Sequence, residues 1–229
     1  SKRGTSHYFH GTAITMLPDT LSQHSALKPL EDRNAVVCRL TVSAAGEVTQ
    51  AEIVLALIQS KAKLSYPEVE DVLQEKAQHA FTDELSHLQN CFRALRQRRE
   101  ACELVIEHRP EHRWIMNDEK QISSIERVEK KSSQLLVEEC MVAANRAIAN
   151  ALKEAQRPGP FVTHAGIRRD RAEEAQDFLK RYQPDLEGLE FSTLEGFRTL
   201  ITALNASRDE RPLRSMVNRL MARASLSIK

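Results

Sequence analysis

AVVCRLTVSAAGEVTQAEIVLALIQ, residues 35–59, holds the chain's clearest structural signal. Its first half alternates, so that Val36, Cys38, Leu40 and Val42 share one face of an extended strand. Ala44-Ala45-Gly46 supplies a turn, and 47–59 returns as a second strand rich in β-branched residues. The prediction is a β-hairpin, which places strands in a chain otherwise dominated by helical spacing.

Moving outward toward the C-terminus, Ser65-Tyr66-Pro67-Glu68 has the form of a capping box, serine taking an orphan amide and glutamate reaching back. The helix it opens carries Val69, Val72, Leu73 and Ala77 on one stripe. A longer helix starts near Thr82, with Leu85, Leu88, Phe92, Leu95 and Cys102 inward and Arg93, Arg96, Arg98 and Arg99 on the opposite face. Short strands follow at 103–108, 112–116 and 121–128, with Asn117-Asp118 as a turn. The most regular helix spans 133–156; Leu136, Val137, Cys140, Met141, Ala144, Ala147, Ile148, Ala151 and Leu152 form its apolar face, and Pro158-Gly159-Pro160 ends it. A strand at 161–164, a helix capped by Asp170, another opening at Ser192 to Glu195, and a last one after Pro212 complete the pattern. The closing Ser-Leu-Ser-Ile-Lys reads as a strand without a partner. Toward the N-terminus the first thirty residues are loop-rich and extended, with one turn near Leu17 to Leu21.

With 33 basic and 32 acidic residues among 229, the net charge of +1 neither demands nor excludes a polyanionic partner, because a charged channel can hide in a neutral total. No apolar run reaches the roughly 18–20 residues that span a bilayer. Cys38, Cys91, Cys102 and Cys140 lie far apart in apolar segments and read as free thiols of a cytoplasmic protein. No catalytic triad, phosphate-binding loop or dinucleotide fingerprint is present. His108 and His112 have a ligand-like spacing, but Pro110 interrupts them and no further ligands lie near, so loop histidines are the reading; His7 and His10 are judged alike. Most carboxylates fall on polar helix faces. Glu138 and Glu139 differ, because they open the long helix; their place suits its N-terminal dipole, which is the first reading, and a carboxylate there could also accept from ribose hydroxyls.

Several blocks, in order, resemble the catalytic (RNB) domain of the ribonuclease II and ribonuclease R family, nearer ribonuclease II. They are RGTSHYF (3–9), ITMLPDTLS (14–22), ALKPLEDRNAVVCRLTVSAAGEV (26–48), IQSKAKLSYPEV (58–69), LVEECMVAANRAIANAL (136–152), FVTHAGI (161–167) and TLEGF (193–197). The resemblance implies an α+β fold, a mixed sheet or barrel-like core with surrounding helices, incomplete at both ends. It implies part of a 3′→5′ exoribonuclease that hydrolyses single-stranded RNA, rather than DNA, to nucleoside 5′-monophosphates with Mg2+, away from membranes, the intact parent being monomeric. Tyr8 matches a tyrosine that packs on the terminal nucleotide and Tyr66 one that contacts RNA near the scissile bond. Glu138 matches a glutamate associated with the preference for ribose. Ile106 stands where the family has a stacking phenylalanine, so part of the roughly 1–3 kcal/mol that stacking contributes per base is lost. The aspartates of the metal motif are expected before Ser1, and the arginine of a Ser-Pro-Ile-Arg segment after Lys229. Residues 1–229 are thus expected to be an inactive internal part of that domain, with exposed strand edges and a tendency to aggregate. The alternatives are a non-catalytic RNA-binding or adaptor remnant and, further off, a helical scaffold unrelated to RNA.

Overall fold

The computed structural model describes residues 4–9, 12–102, 111–117, 119, 121–190, 193–207 and 210–228. The chain opens with strands β1 (His7–Phe9) and β2 (Thr12–Ile14) and a short helix α1 (Asp19–Ser25). Next come β3 (Asp32–Val42), β4 (Val48–Gln59), α2 (Tyr66–Leu73) and α3 (Thr82–Cys102). Then follow β5 (Glu111–Met116), β6 (Ile122–Val128), α4 (Ser132–Glu154) and β7 (Phe161–Thr163). The last part holds α5 (Ala172–Tyr182), α6 (Leu194–Ala206), α7 (Glu210–Leu220) and β8 (Ser225–Ser227). The architecture is α+β. Its strands form four separate antiparallel pairs, β1–β2, β3–β4, β5–β6 and β7–β8, and no closed barrel exists among the described residues.

The hairpin expected from 35–59 is present and longer at its base, running from Asp32 opposite Gln59 to Val42 opposite Val48. Its covered face is not the one that simple alternation assigns. Near the base, Arg33, Ala35 and Val37 with Val54, Ala56 and Ile58 are partly covered, whereas Val36 and Leu57 are exposed and Leu55 is 88% exposed. Past Val37 the covered positions become Cys38, Leu40 and Val42. A two-stranded ribbon of this length twists strongly, so its two halves turn different faces toward the body. Only the distal half obeys the expected stripe, and the basal half leaves an apolar face open.

The helices form two cores, of which the first carries the hairpin. In the first, α2, α3 and α4 pack together and against β3 and β4, burying Val72, Phe92, Leu95, Leu136, Ala143 and Ala147. The stripe expected of α2 stops at Leu73, because Glu75 adopts a left-handed conformation and Ala77 lies exposed beyond the helix. In the second core, α5, α6 and α7 enclose Leu179, Leu200, Ile201, Leu204 and Val217, each burial contributing about 1.5–3 kcal/mol. Arg198 of α6 donates to the carbonyls of Glu100 (2.6 Å) and Ala101 (3.0 Å), satisfying acceptors at the C-terminal end of α3 and joining the two cores.

Four local expectations are corrected here. The closing strand has a partner: β8 pairs with β7, Phe161 opposite Ser227. Asp170 caps nothing, since it lies in a 3-10 turn and α5 follows Arg171. The cap of α6 is Thr193, whose Oγ1 accepts from the Gly196 amide at 3.1 Å; Ser192 lies outside the described residues. Helix α7 starts before Pro212, which fits in a first turn where amides lack intrahelical partners anyway. The strand expected at 103–108 also lies outside the described residues. Among the described residues no helix is long and apolar enough to cross a membrane.

Candidate functional site

The capping box forms as its residue types require. The Ser65 amide donates to Glu68 Oε2 at 2.7 Å and the Glu68 amide to Ser65 Oγ at 3.4 Å, which fixes Tyr66 as the first residue of α2. One turn further on the same face, Glu70 is buried and reaches across to α4. Its Oε2 accepts from the Ser133 amide at 2.9 Å and its Oε1 from Gln74 Nε2 at 2.8 Å. Ser133 lies in the first turn of α4, where backbone N–H groups have no intrahelical acceptor. The middle of α2 and the start of α4 are therefore tied together by a single carboxylate.

Burial pushes the Glu70 carboxyl upward, but the Ser133 and Gln74 hydrogen bonds and the positive Lys131 outweigh it, holding it below the ordinary value of 4.5. A group lowered in the folded state stabilises above its unfolded pKa, and that contribution disappears as pH falls through the folded pKa. Thermal melts between pH 6 and pH 3 should therefore show the chain losing stability below about pH 4.5 more steeply than Glu70→Gln. Parallel curves would refute this role for the Glu70 charge.

The neighbouring carboxylates of α4 have opposite fates. Glu139 is fully buried, its side chain 0% exposed, and receives Arg96 Nη1 at 3.0 Å on Oε1 and Arg99 Nη1 at 2.6 Å on Oε2. Arg96 also holds Glu100 through Nε at 2.6 Å. Glu138 points elsewhere, is partly exposed, and pairs with Lys130 Nζ at 3.0 Å. Arg96 and Arg99, expected on the face opposite the core stripe of α3, and Glu139, read as a carboxylate favoured by the helix dipole, instead form one largely buried cluster. A sequence signal did exist: Leu136, Glu139, Ala143 and Ala147 keep a three-four-four rhythm, so Glu139 occupies a core position, and Arg96 and Arg99 share a face at i, i+3. Val137 and Met141, assigned to the apolar stripe, are exposed instead.

The site residues inferred from resemblance are distributed as follows. Tyr66, 47% exposed, and Glu138 stand on the two helices that Glu70 joins. Tyr8 lies in β1 and is 80% exposed, in a strand pair exposed throughout. Ile106 and His108 lie outside the described residues, and His112 is exposed on β5. A cleft of about 490 Å³ between β4, α3 and α4 is lined by Arg98, Arg99, Glu139, Arg146 and Asn150, but not by Tyr8, Tyr66 or Glu138. Among the described residues no three His, Cys, Asp or Glu side chains converge as metal ligands.

The described residues form an α+β body in which a long hairpin packs against the helix α4, itself packed on α2 and α3. The comparisons give the family: the RNB domain matches residues 1–229, and the chain belongs to that family. It is 29% identical over 229 residues to ribonuclease R of Vibrio parahaemolyticus, covering 97% of this chain and 27% of that protein. It is 31% identical over 215 residues to exoribonuclease 2 of Erwinia tasmaniensis, covering 90% and 33%. In structure it is similar to Mycoplasma genitalium RNase R in complex with ribose-methylated single-stranded RNA, with a TM-score of 0.81 at 20% identity, covering 98% of this chain and 36% of that one. The chain therefore spans about a third or less of the length of these proteins.

Proposed function

We propose that residues 1–229 form an internal part of the catalytic domain of a cytoplasmic 3′→5′ exoribonuclease, contributing contacts to single-stranded RNA while the metal-binding aspartates and the Ser-Pro-Ile-Arg arginine belong to other parts of the polypeptide. The reading assigns Tyr8 and Ile106 to the terminal nucleotide, Tyr66 to RNA near the scissile bond, and Glu138 to the ribose. Tyrosine stacks on any base, which suits a nuclease indifferent to sequence. A carboxylate accepts from a 2′-hydroxyl, which DNA lacks. The observation that carries the reading is the tie between α2 and α4, which sets Tyr66 and Glu138 on adjoining helices within a domain of the RNB family. The intact parent would supply magnesium to activate water and steady the phosphate charge, and would work as a monomer.

The test uses the purified chain with labelled oligonucleotides of matched sequence. It should bind single-stranded RNA in a salt-sensitive manner, bind the deoxy form more weakly, and release no nucleoside 5′-monophosphate with Mg2+. Substituting residues 1–229 for the matched segment of the Vibrio ribonuclease R should give a chimera that releases monophosphates and loses activity on Tyr66→Ala. Nucleotide release by the chain alone, or equal binding of RNA and DNA, would overturn the reading.

A further inference from the structure

We infer that Glu70 is a positioning residue for ribose discrimination, setting the spacing between Tyr66 and Glu138; this rests on the roles proposed above. The start of α4 has an unusual difficulty. Its N-cap is Lys131, a side chain with no acceptor, and it makes no cap hydrogen bond to the helix. Gln134 Oε1 reaches back to the Lys131 amide at 2.9 Å, but the Ser133 amide still needs an acceptor. A local serine or aspartate would satisfy it within α4. Here the acceptor is imported from another helix, so capping α4 and fixing α2 become one interaction.

The other end of this geometry is already locked. Glu139, clamped between Arg96 and Arg99, holds α4 against α3, and only 100° of helical rotation separates it from Glu138. The direction of Glu138 is thus set by α3. Tyr66 is set by α2, on the side that carries Glu70. Removing the Glu70 bridge leaves α2 held by the packing of Val72 against α3 and α4 and loosens the end that bears Tyr66, while α4 stays in place. A displacement of about an ångström is enough to spoil a shared contact.

The experiment measures affinities of the full chain for matched RNA and DNA oligonucleotides, with a melting curve for each variant. Glu70→Ala should lower the RNA-to-DNA affinity ratio by about tenfold, the scale of one charge-assisted hydrogen bond, while Glu70→Gln, which keeps an acceptor for the Ser133 amide, should retain most of it. Adding Lys131→Asp to Glu70→Ala gives α4 its own cap; it should restore the melting temperature but not the ratio. If that double variant recovers the preference for RNA, Glu70 is merely a cap and the inference is wrong. It is equally wrong if Glu70→Ala keeps the wild-type ratio. A ratio that Glu138→Gln lowers but Glu70→Ala does not sinks the inference and leaves the ribose reading standing. A wild-type chain without RNA preference sinks both.

Discussion

Glu139→Ala should destabilise the folded chain by about 3–5 kcal/mol, the usual cost of removing one partner from a buried ion pair. The carboxylate is fully buried, and each oxygen accepts from a different arginine, at 3.0 and 2.6 Å. Forming this cluster costs desolvation of three charges, so its net contribution is modest. Breaking it is different, because the desolvation remains and the compensation does not. Arg96 would keep Glu100, but Arg99, only 17% exposed, would keep no comparable partner from α4. Truncation also leaves a void beside Ala143. The control is one residue away. Glu138 pairs with Lys130 in solvent, and Glu138→Ala should cost no more than about 1 kcal/mol. Denaturant titration of both variants decides the matter, and equal losses would mean that Glu139 is not buried in solution.

This contrast shows where local sequence stops being informative. The capping box at Ser65, the extent of α4 and the turn at Gly46 depend on residues a few positions apart, and all appear in the structure. The burial of Arg96 and Arg99 does not come from neighbours, although Arg96 also holds Glu100. Their environment comes from a glutamate some forty residues later, and a helical wheel drawn on α3 alone places them in water. Glu139 lay in the apolar rhythm of α4, yet its place near the helix N-terminus was explained by the dipole alone; the rhythm was the better guide to its burial.

The same reasoning accounts for the strands. Val36 obeys the alternation of its neighbours but faces solvent, because twist along β3 and β4 turns the ribbon over near Val37. The partner of β8 is 62 residues away at Thr163 and Ser225, beyond the reach of any local pattern. For the site, periodicity could locate the helices bearing Tyr66 and Glu138 but could not bring them together. Part of the tie between those helices is Glu70, a residue whose type and spacing resemble any surface glutamate. The roles of Tyr8, Tyr66, Ile106 and Glu138 come from family resemblance, since an exposed tyrosine has no chemistry that spacing alone reveals.

Gly46→Ala should be far more damaging than Gly188→Ala, and the comparison explains why. Both glycines sit in the left-handed region, at φ +75° and +82°. An alanine at either position incurs the conformational cost, about 1–3 kcal/mol. At Gly188 nothing lies within 4 Å of the added Cβ, so that is the whole penalty. At Gly46 the new carbon would fall against the carbonyl of Ala94 on α3, with the carbonyl carbon at 2.6 Å and Arg98 Cβ at 3.0 Å. Helix backbone cannot give way as a flexible side chain can, so overpacking adds about another 1–3 kcal/mol. The hairpin tip must lift from α3, straining the Glu47–Arg98 pair beside it, now 3.3 Å apart. Chemical denaturation should therefore rank Gly46→Ala well below Gly188→Ala. The Gly46 variant should also expose β4 to amide exchange from Val48 to Ala51, where the strand lines the cleft against α4. If the two variants lose the same stability and β4 stays protected, the tip is not seated on α3, and the close approach at Ala94 does not hold the hairpin.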